Sequence, residues 1–300
     1  MINVTQRLSK LTRSALRFSR FEQLLKCPIC QAQMQVIAEK SLVCQRNHTF
    51  DFARQGYIHL MTRSIPSQYD KELFVSRRNV ITNSELFTPL TNEIAMIIDK
   101  QLNVNTDLTM IDMGTGEGSH LYNISKLLRE KYGQKTIGFG LDISKAGIIE
   151  AAKHYDSLSW LVADIANSPF TDKSFQVILN ILSPANYQEF TRLLGDDGLI
   201  IKVIPGKNYL QELRQFFYQN RKQQDYSNKG VVSGFNVNFQ VIKHQTLTYQ
   251  IQLNQSLLKS LLKMTPLTWH ASNDKINQFL DSRVTEITVH VEILVGKKKE

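Results

Sequence analysis

Four side chains near the N-terminus have the types and spacing to hold a metal ion. Cys27 and Cys30 form a Cys-x2-Cys pair; after thirteen intervening residues, Cys44 and His48 form a Cys-x3-His pair. Three thiolates and one imidazole in a closed set suit tetrahedral Zn²⁺, and the short turns between paired ligands let two chain reversals meet at one ion. Four protein ligands leave no position for water, so the metal reads as structural. It would supply folding free energy that so short a segment cannot obtain from burial alone. The alternatives are three free thiols beside a surface histidine, or an Fe–S cluster, which ordinarily takes a fourth cysteine. The chain has only 3 cysteines. An odd number closes no disulfide framework, which predicts a reducing, cytoplasmic setting.

A second set of residues has the pattern of a nucleotide site. Leu108 to Met113 reads as a buried strand that runs into Gly114-Thr115-Gly116-Glu117-Gly118, and a helical pattern follows from Ser119 to about Lys131. Gly114, Gly116 and Gly118 let the backbone turn sharply and approach a ligand at the strand's C-terminal end. Thr136 to Leu141 reads as the next strand and ends in Asp142, positioned to hold a ribose diol. Trp160 to Ala163 ends in Asp164, near where an adenine amine would lie. Phe175 to Leu179 leads to Asn180-Ile181-Leu182-Ser183-Pro184, which would face the reacting group. For each carboxylate a helix cap or surface charge is the alternative, and Asp112 divides between support of the glycine loop and ligand contact. Asn180 could hold a base edge or cap the following helix.

The elements that must position these residues follow from periodicity. A fifth strand, Leu199 to Ile204, follows the turn Gly195-Asp196-Asp197-Gly198, and alternation from Ile287 to Val295 predicts a late antiparallel edge strand. The polar stretch Thr62 to Asp70, with Pro66 inside it, reads as a linker. Ahead of the cysteines, Val4, Leu8, Leu11, Ala15, Phe18 and Leu25 fall near one helical face, with Lys10, Arg13, Arg17 and Arg20 largely on the others. Such a helix could lie on RNA, on an acidic membrane or on the rest of the protein. After the cysteines, Phe50, Phe52 and Tyr57 interleave with Arg54, which suits stacking on unpaired bases or the core of a small module. The domains expected are a basic helical extension (1–26), a zinc module (27–62), a linker with lead-in helices (63–107) and a Rossmann-like domain (108–300).

Composition narrows the function classes. Hydrophobic residues at 42% and charged residues at 21% support a folded core and exclude whole-chain disorder. No apolar run is long enough to span a bilayer, and the N-terminus lacks the apolar region of a secretory leader. Of the net charge of +9, the first 64 residues carry +7. A basic module on a nearly neutral domain suggests a polyanion docked by one part and worked on by the other.

The strand order resembles class I S-adenosylmethionine-dependent methyltransferases; a nicotinamide dehydrogenase, the competing use of such a sheet, usually carries GxGxxG. The whole arrangement, from the cysteine pairs through Phe50 to Leu60 and on to the glycine loop, resembles the RlmA/RrmA/TlrB group of zinc-containing 23S ribosomal RNA guanine-N1 methyltransferases. Further landmarks are Ser84 to Leu90, Leu141 to Lys145, Pro205 to Leu210 and Met264 to Trp269. The resemblance implies S-adenosylmethionine as cofactor, 23S ribosomal RNA as partner, and structural zinc on Cys27, Cys30, Cys44 and His48. It implies cofactor contacts at Phe87, His120, Leu121 and Tyr209, with Phe87 where the family carries Tyr and Tyr209 where it carries His. A homodimer is compatible with it, and no membrane partner is expected. A small-molecule methyltransferase and a non-catalytic RNA-binding protein are the other classes; the basic module argues against the first, the intact glycine loop against the second.

Overall fold

The computed structural model describes residues 8–63, 69–102, 106–218 and 228–299. Leu108–Met113 (β5), Thr136–Asp142 (β6), Ser159–Val162 (β7), Phe175–Ile181 (β8) and Leu194–Pro205 (β9) are parallel strands in the order β7-β6-β5-β8-β9. Their side chains are buried almost continuously, because parallel strands are covered on both faces. The five ligand-side strands expected from the sequence are therefore present, with β8 and β9 longer than read.

The antiparallel end differs from expectation. Glu286–Lys298 (β11) is antiparallel to β9, yet it is not the edge: Phe239–Gln252 (β10) pairs along its other side. At the opposite end, Tyr57–His59 (β4) adds in parallel to β7, giving an eight-stranded sheet ordered β10-β11-β9-β8-β5-β6-β7-β4. β4 belongs to the cysteine-rich segment, whose Met34–Ile37 (β1), Ser41–Cys44 (β2) and Thr49–Asp51 (β3) form a separate antiparallel sheet. No break in the sheet therefore coincides with residue 62.

One face of the sheet is covered by Thr88–Gln101 (α3), Ser119–Tyr132 (α4), Lys145–His154 (α5), Gln211–Phe217 (α7) and Gln255–Met264 (α9). Lys71–Asn83 (α2) packs over α9 and α5, starting at Asp70, whose side chain accepts from Leu73 N at 2.8 Å. The other face is covered by Tyr187–Leu193 (α6), Lys229–Asn238 (α8), the cysteine-rich module and Lys10–Ser19 (α1). Between β7 and β8 the chain makes only a 3-10 turn, Ile165–Asn167, in place of a crossover α-helix. The helix α1 fills that space. Its Phe18 stands edge-on to Phe139 of β6 at 5.9 Å, and Phe139 in turn contacts Phe170 and Phe175.

The basic side chains of α1 are accordingly spent inside the protein. Lys10 Nζ donates to the carbonyls of Ala152 and Lys153 at the C-terminal end of α5. Arg13 pairs with Asp156 at 2.6 Å, and Arg17 donates to the carbonyls of Asp156 and Leu158. Of the alternatives read for this helix, packing on the rest of the protein is the one realised; Val4 lies outside the described residues, as does Pro66 of the expected linker. Phe52 and Tyr57 are buried, Phe52 lying 5.2 Å from Phe18, so they serve as core and not as a stacking surface. Among the described residues no helix is long and apolar enough to cross a membrane.

Candidate active site and zinc centre

The four metal-ligand candidates converge. Cys27, Cys30, Cys44 and His48 place their ligand atoms within 4.8 Å of one another. Sγ of Cys27 and of Cys44 lie 3.5 and 3.4 Å from His48 Nδ1, and Cys30 Sγ lies 3.6 Å from Cys44 Sγ. Tetrahedral zinc with its usual bond lengths requires ~3.5 Å between sulfur and nitrogen and ~3.8 Å between sulfurs, values these three separations match closely. Two turns hold the set. Gln31 N donates to Cys27 O and Asn47 N to Cys44 O, each turn placing one residue, Gln31 or Asn47, at φ +62°. Asparagine tolerates that conformation; at Gln31 the geometry of the ligand pair imposes it. Burial pushes the Cys44 thiol up, but backbone N–H groups of Arg46 and His48, together with the neighbouring Cys30 and Cys27 side chains, outweigh it and bring it to about 6, favouring the thiolate a metal needs.

The glycine loop joins β5 to α4 and hangs on β6, since Gly114 N and Thr115 N both donate to Leu141 O at 2.8 and 3.1 Å. All three glycines have positive φ, between +60° and +85°. A methyl group at Gly114 would collide with Ser183, and one at Gly118 with the Trp160 ring. Those two glycines are therefore demanded by protein packing. Gly116 faces more open space, with the Phe74 ring and the Arg77 guanidinium the nearest groups.

Asp142, the last residue of β6, closes the loop. Its Oδ2 accepts from Gly116 N and its Oδ1 from Ser144 N, each at 2.7 Å, with the Ile143 N–H also turned to the carboxylate, which leaves acceptor capacity for a further donor. Asp112 is 1% exposed, and burial pushes its carboxyl up to about 7. Glu117 is fully buried; it accepts from Ser119 N at 3.2 Å and pairs with Arg77 Nε at 3.2 Å. His120 stands edge-on to Phe87 at 5.0 Å, and burial pulls its imidazole down to about 3, so the ring is neutral. Leu121 is buried beneath them, and burial pushes the Tyr209 phenol up to about 12. Asp112 Oδ1, Thr115 Oγ1 and His120 Nε2 are buried without a hydrogen bond of ordinary geometry among the described residues, the Thr115 hydroxyl lying beside the Asp112 carboxyl. These three orphaned atoms follow one stretch, from the end of β5 to the first turn of α4. Unsatisfied buried polar atoms are costly, and a polar cofactor over the loop would satisfy them.

One sequence reading changes here, that for Asn180, while Asp164 takes the capping role read as its alternative and keeps its place just after β7. Asp164 caps the turn after β7, accepting from Ala166 N at 2.8 Å, while its other oxygen stands 3.7 Å from Arg63. Asn180 neither faces a base edge nor caps α6, which Asn186 does instead. The Asn180 amide donates to the carbonyls of Met113 and Pro184 at 2.6 and 3.0 Å, and its Oδ1 accepts from Lys202 Nζ at 2.5 Å. Lys202, 3% exposed on β9, also donates to Ser183 O, and burial pulls its ammonium down to about 8. Ser183 lies in the segment read as facing the reacting group, whereas nothing local in the sequence marks Arg77 or Lys202 as site residues. Arg77 sits in an ordinary-looking helix, and Lys202 is one lysine in the otherwise apolar run Leu199 to Ile204.

A parallel sheet with the strand order β7-β6-β5-β8-β9, an antiparallel β10–β11 pair, a glycine loop after β5 and an acidic residue ending β6 defines a class I S-adenosylmethionine-dependent methyltransferase, here fused to a zinc ribbon. Residues 25–66 match the family model for the RlmA N-terminal zinc ribbon, and residues 105–264 match a methyltransferase-domain model. YxjB of Bacillus subtilis (strain 168), by name a provisional 23S rRNA (guanine-N1)-methyltransferase, is 41% identical over 276 residues, covering 92% of this chain and 97% of its own. The 23S rRNA (guanine(748)-N1)-methyltransferase of Streptomyces fradiae is 27% identical over 90% of this chain and 95% of its own. The chain belongs to the RlmA-type family of 23S rRNA (guanine-N1)-methyltransferases.

Proposed function

We propose that this chain transfers the methyl group of S-adenosylmethionine to N1 of a guanine in a hairpin of 23S ribosomal RNA. The observation that carries the reading is the fusion: a zinc ribbon with Lys40, Arg46 and Arg54 exposed adds β4 to the sheet that presents the glycine loop. RNA docked on the ribbon would thus be held in rigid register with the reaction centre. The reading puts the enzyme in the cytoplasm with its RNA, alone or as a homodimer sharing one hairpin.

When bound, the cofactor supplies an electrophilic sulfonium methyl. The protein's part is alignment and exclusion of water. In this reading Gly114, Gly116 and Gly118 floor the pocket, Asp142 accepts from the ribose diol, Asp164 lies toward the adenine, and Phe87, His120, Leu121 and Tyr209 wall it. Phe87 brings a ring without a hydroxyl, and neutral His120 adds no charge beside a cationic sulfur. Cys27, Cys30, Cys44 and His48 would hold the structural zinc. Guanine N1 lies on the Watson–Crick edge and carries a proton at neutral pH, so the base must leave its pair and lose that proton before or during transfer. The Asn180–Lys202 pair acts one layer back, fixing the loop from Asn180 to Pro184 that borders Gly114.

The test is methylation of protein-free 23S ribosomal RNA with purified protein and labelled cofactor, followed by primer extension. The expected result is one strong stop at a hairpin guanine, since N1 methylation blocks pairing. Transfer to another atom or only to a small acceptor, or RNA binding without transfer, would overturn the reading.

A further inference from the structure

Arg77 is placed for more than its partner Glu117. It projects from α2, and its Nε and Cζ lie 3.8 and 3.9 Å from where a methyl group on Gly116 would be. Its Nε is spent on Glu117, and the guanidinium makes no other hydrogen bond among the described residues. The same charge reaches Asp112, Glu117, His120, Asp142 and Tyr209, five groups contributed by β5, the glycine loop, α4, β6 and the loop after β9. Arg77 is the cation common to them all. Three of the five are carboxylates, an arrangement that favours the sulfonium and the ammonium of S-adenosylmethionine but repels its carboxylate unless a cation faces that group.

We propose that Arg77 binds the α-carboxylate of the cofactor's methionine moiety, with Glu117 holding the guanidinium over Gly116. The inference rests on the cofactor reading above and adds the residue that recognises the amino-acid end. A planar guanidinium anchored through Nε keeps its two Nη groups as a fork, the geometry that suits a carboxylate.

Two ligands that differ only in that carboxylate test the assignment: S-adenosylmethionine and its decarboxylated form, each titrated calorimetrically into the full-length protein. Arg77→Gln is expected to weaken S-adenosylmethionine by about ten-fold or more, as for the loss of one or two charge-assisted hydrogen bonds, and to change the decarboxylated ligand by less than about two-fold. Because Arg77→Gln leaves Glu117 buried without its cation, Arg77→Gln with Glu117→Gln serves as a second variant and should show the same collapse of discrimination. Arg77→Lys should recover part of it, keeping the charge without the fork. Equal losses for both ligands, or an unchanged ratio in both variants, would overturn the assignment and leave Arg77 a support of the loop. Failure of the wild-type protein to bind either ligand would overturn the cofactor reading as well.

Discussion

Asp112 and His120 are buried within nine positions of each other, and their protonation pulls stability in opposite directions. The Asp112 carboxyl, about 7 when folded against 3.8 as a free side chain, keeps its proton in the folded protein between those values while the unfolded chain has lost it. Its contribution therefore declines as pH rises from about 4 to about 7 and stays low above. His120, about 3 when folded against 6.5, does the reverse: the unfolded chain takes up a proton first, so stability is lost as pH falls below about 6.5. The two effects offset each other in the wild-type profile, and a variant separates them. Asp112→Asn should leave stability little changed near pH 4 and raise it above pH 7, by a gain of order 1–3 kcal/mol in denaturant unfolding, while weakening cofactor binding. A gain independent of pH would mean that the Asp112 carboxylate is not the buried charge described here. The orphaned Oδ1 of Asp112 marks a site kept at a cost to stability.

At the scale of elements, the zinc ribbon and the catalytic sheet are joined through β4. Tyr57, Ile58 and His59 pair in parallel with Trp160, Leu161 and Val162, and Leu60 N donates to Val162 O at 2.8 Å. The ribbon also docks through Lys26 N to Pro169 O and Thr171 N to Leu24 O. Loss of the metal should therefore be felt in the sheet. Cys44→Ala is expected to abolish zinc in elemental analysis and to speed amide exchange by about ten-fold or more through β1 to β4 and into β7, with β8, β9 and β11 still protected. Unchanged exchange in β7 would show that the ribbon loosens alone. The same packing explains the N-terminal extension. α1 lies where the chain between β7 and β8 supplies no helix, and its arginines hold the Asp156–Leu158 turn.

Over the whole molecule, the excess positive charge sits in the N-terminal segment, where two groups of basic side chains differ in what they touch. Lys10, Arg13 and Arg17 are committed to carbonyls and to Asp156, whereas Arg46 and Arg54 stand exposed on the ribbon. Of these two groups, the second is available to phosphate. Arg46→Ala with Arg54→Ala should lower the slope of log affinity against log salt for a target hairpin by about 1.4–1.8, from ~0.7–0.9 per phosphate contact, and should do so for any RNA of similar shape. Arg13→Ala with Arg17→Ala should leave the slope unchanged while lowering the melting temperature. Equal slopes for wild type and the Arg46/Arg54 variant, with zinc retained, would reduce the ribbon's charge to a solvated surface.

The sequence by itself determined what is local. The ligand spacing of Cys27, Cys30, Cys44 and His48, the glycine loop on the end of β5, and Asp142 at the end of β6 are each written within a few consecutive residues, where turn geometry and strand periodicity decide the outcome. The tertiary structure alone decided the partners. Arg13 and Asp156 are 143 residues apart, and Arg77 and Glu117 are 40 apart, so no local pattern announces either pair. β10 is hard to read because its apolar alternation is confined to Leu247, Tyr249 and Ile251, three positions in a strand whose other side chains are mostly polar or exposed. Its presence turned β11 from an edge strand into an interior one. Asn180 had the right position to face a base, but the buried Lys202 opposite it on β9 claimed its oxygen, because a buried ammonium must be satisfied by whatever acceptor lies within reach.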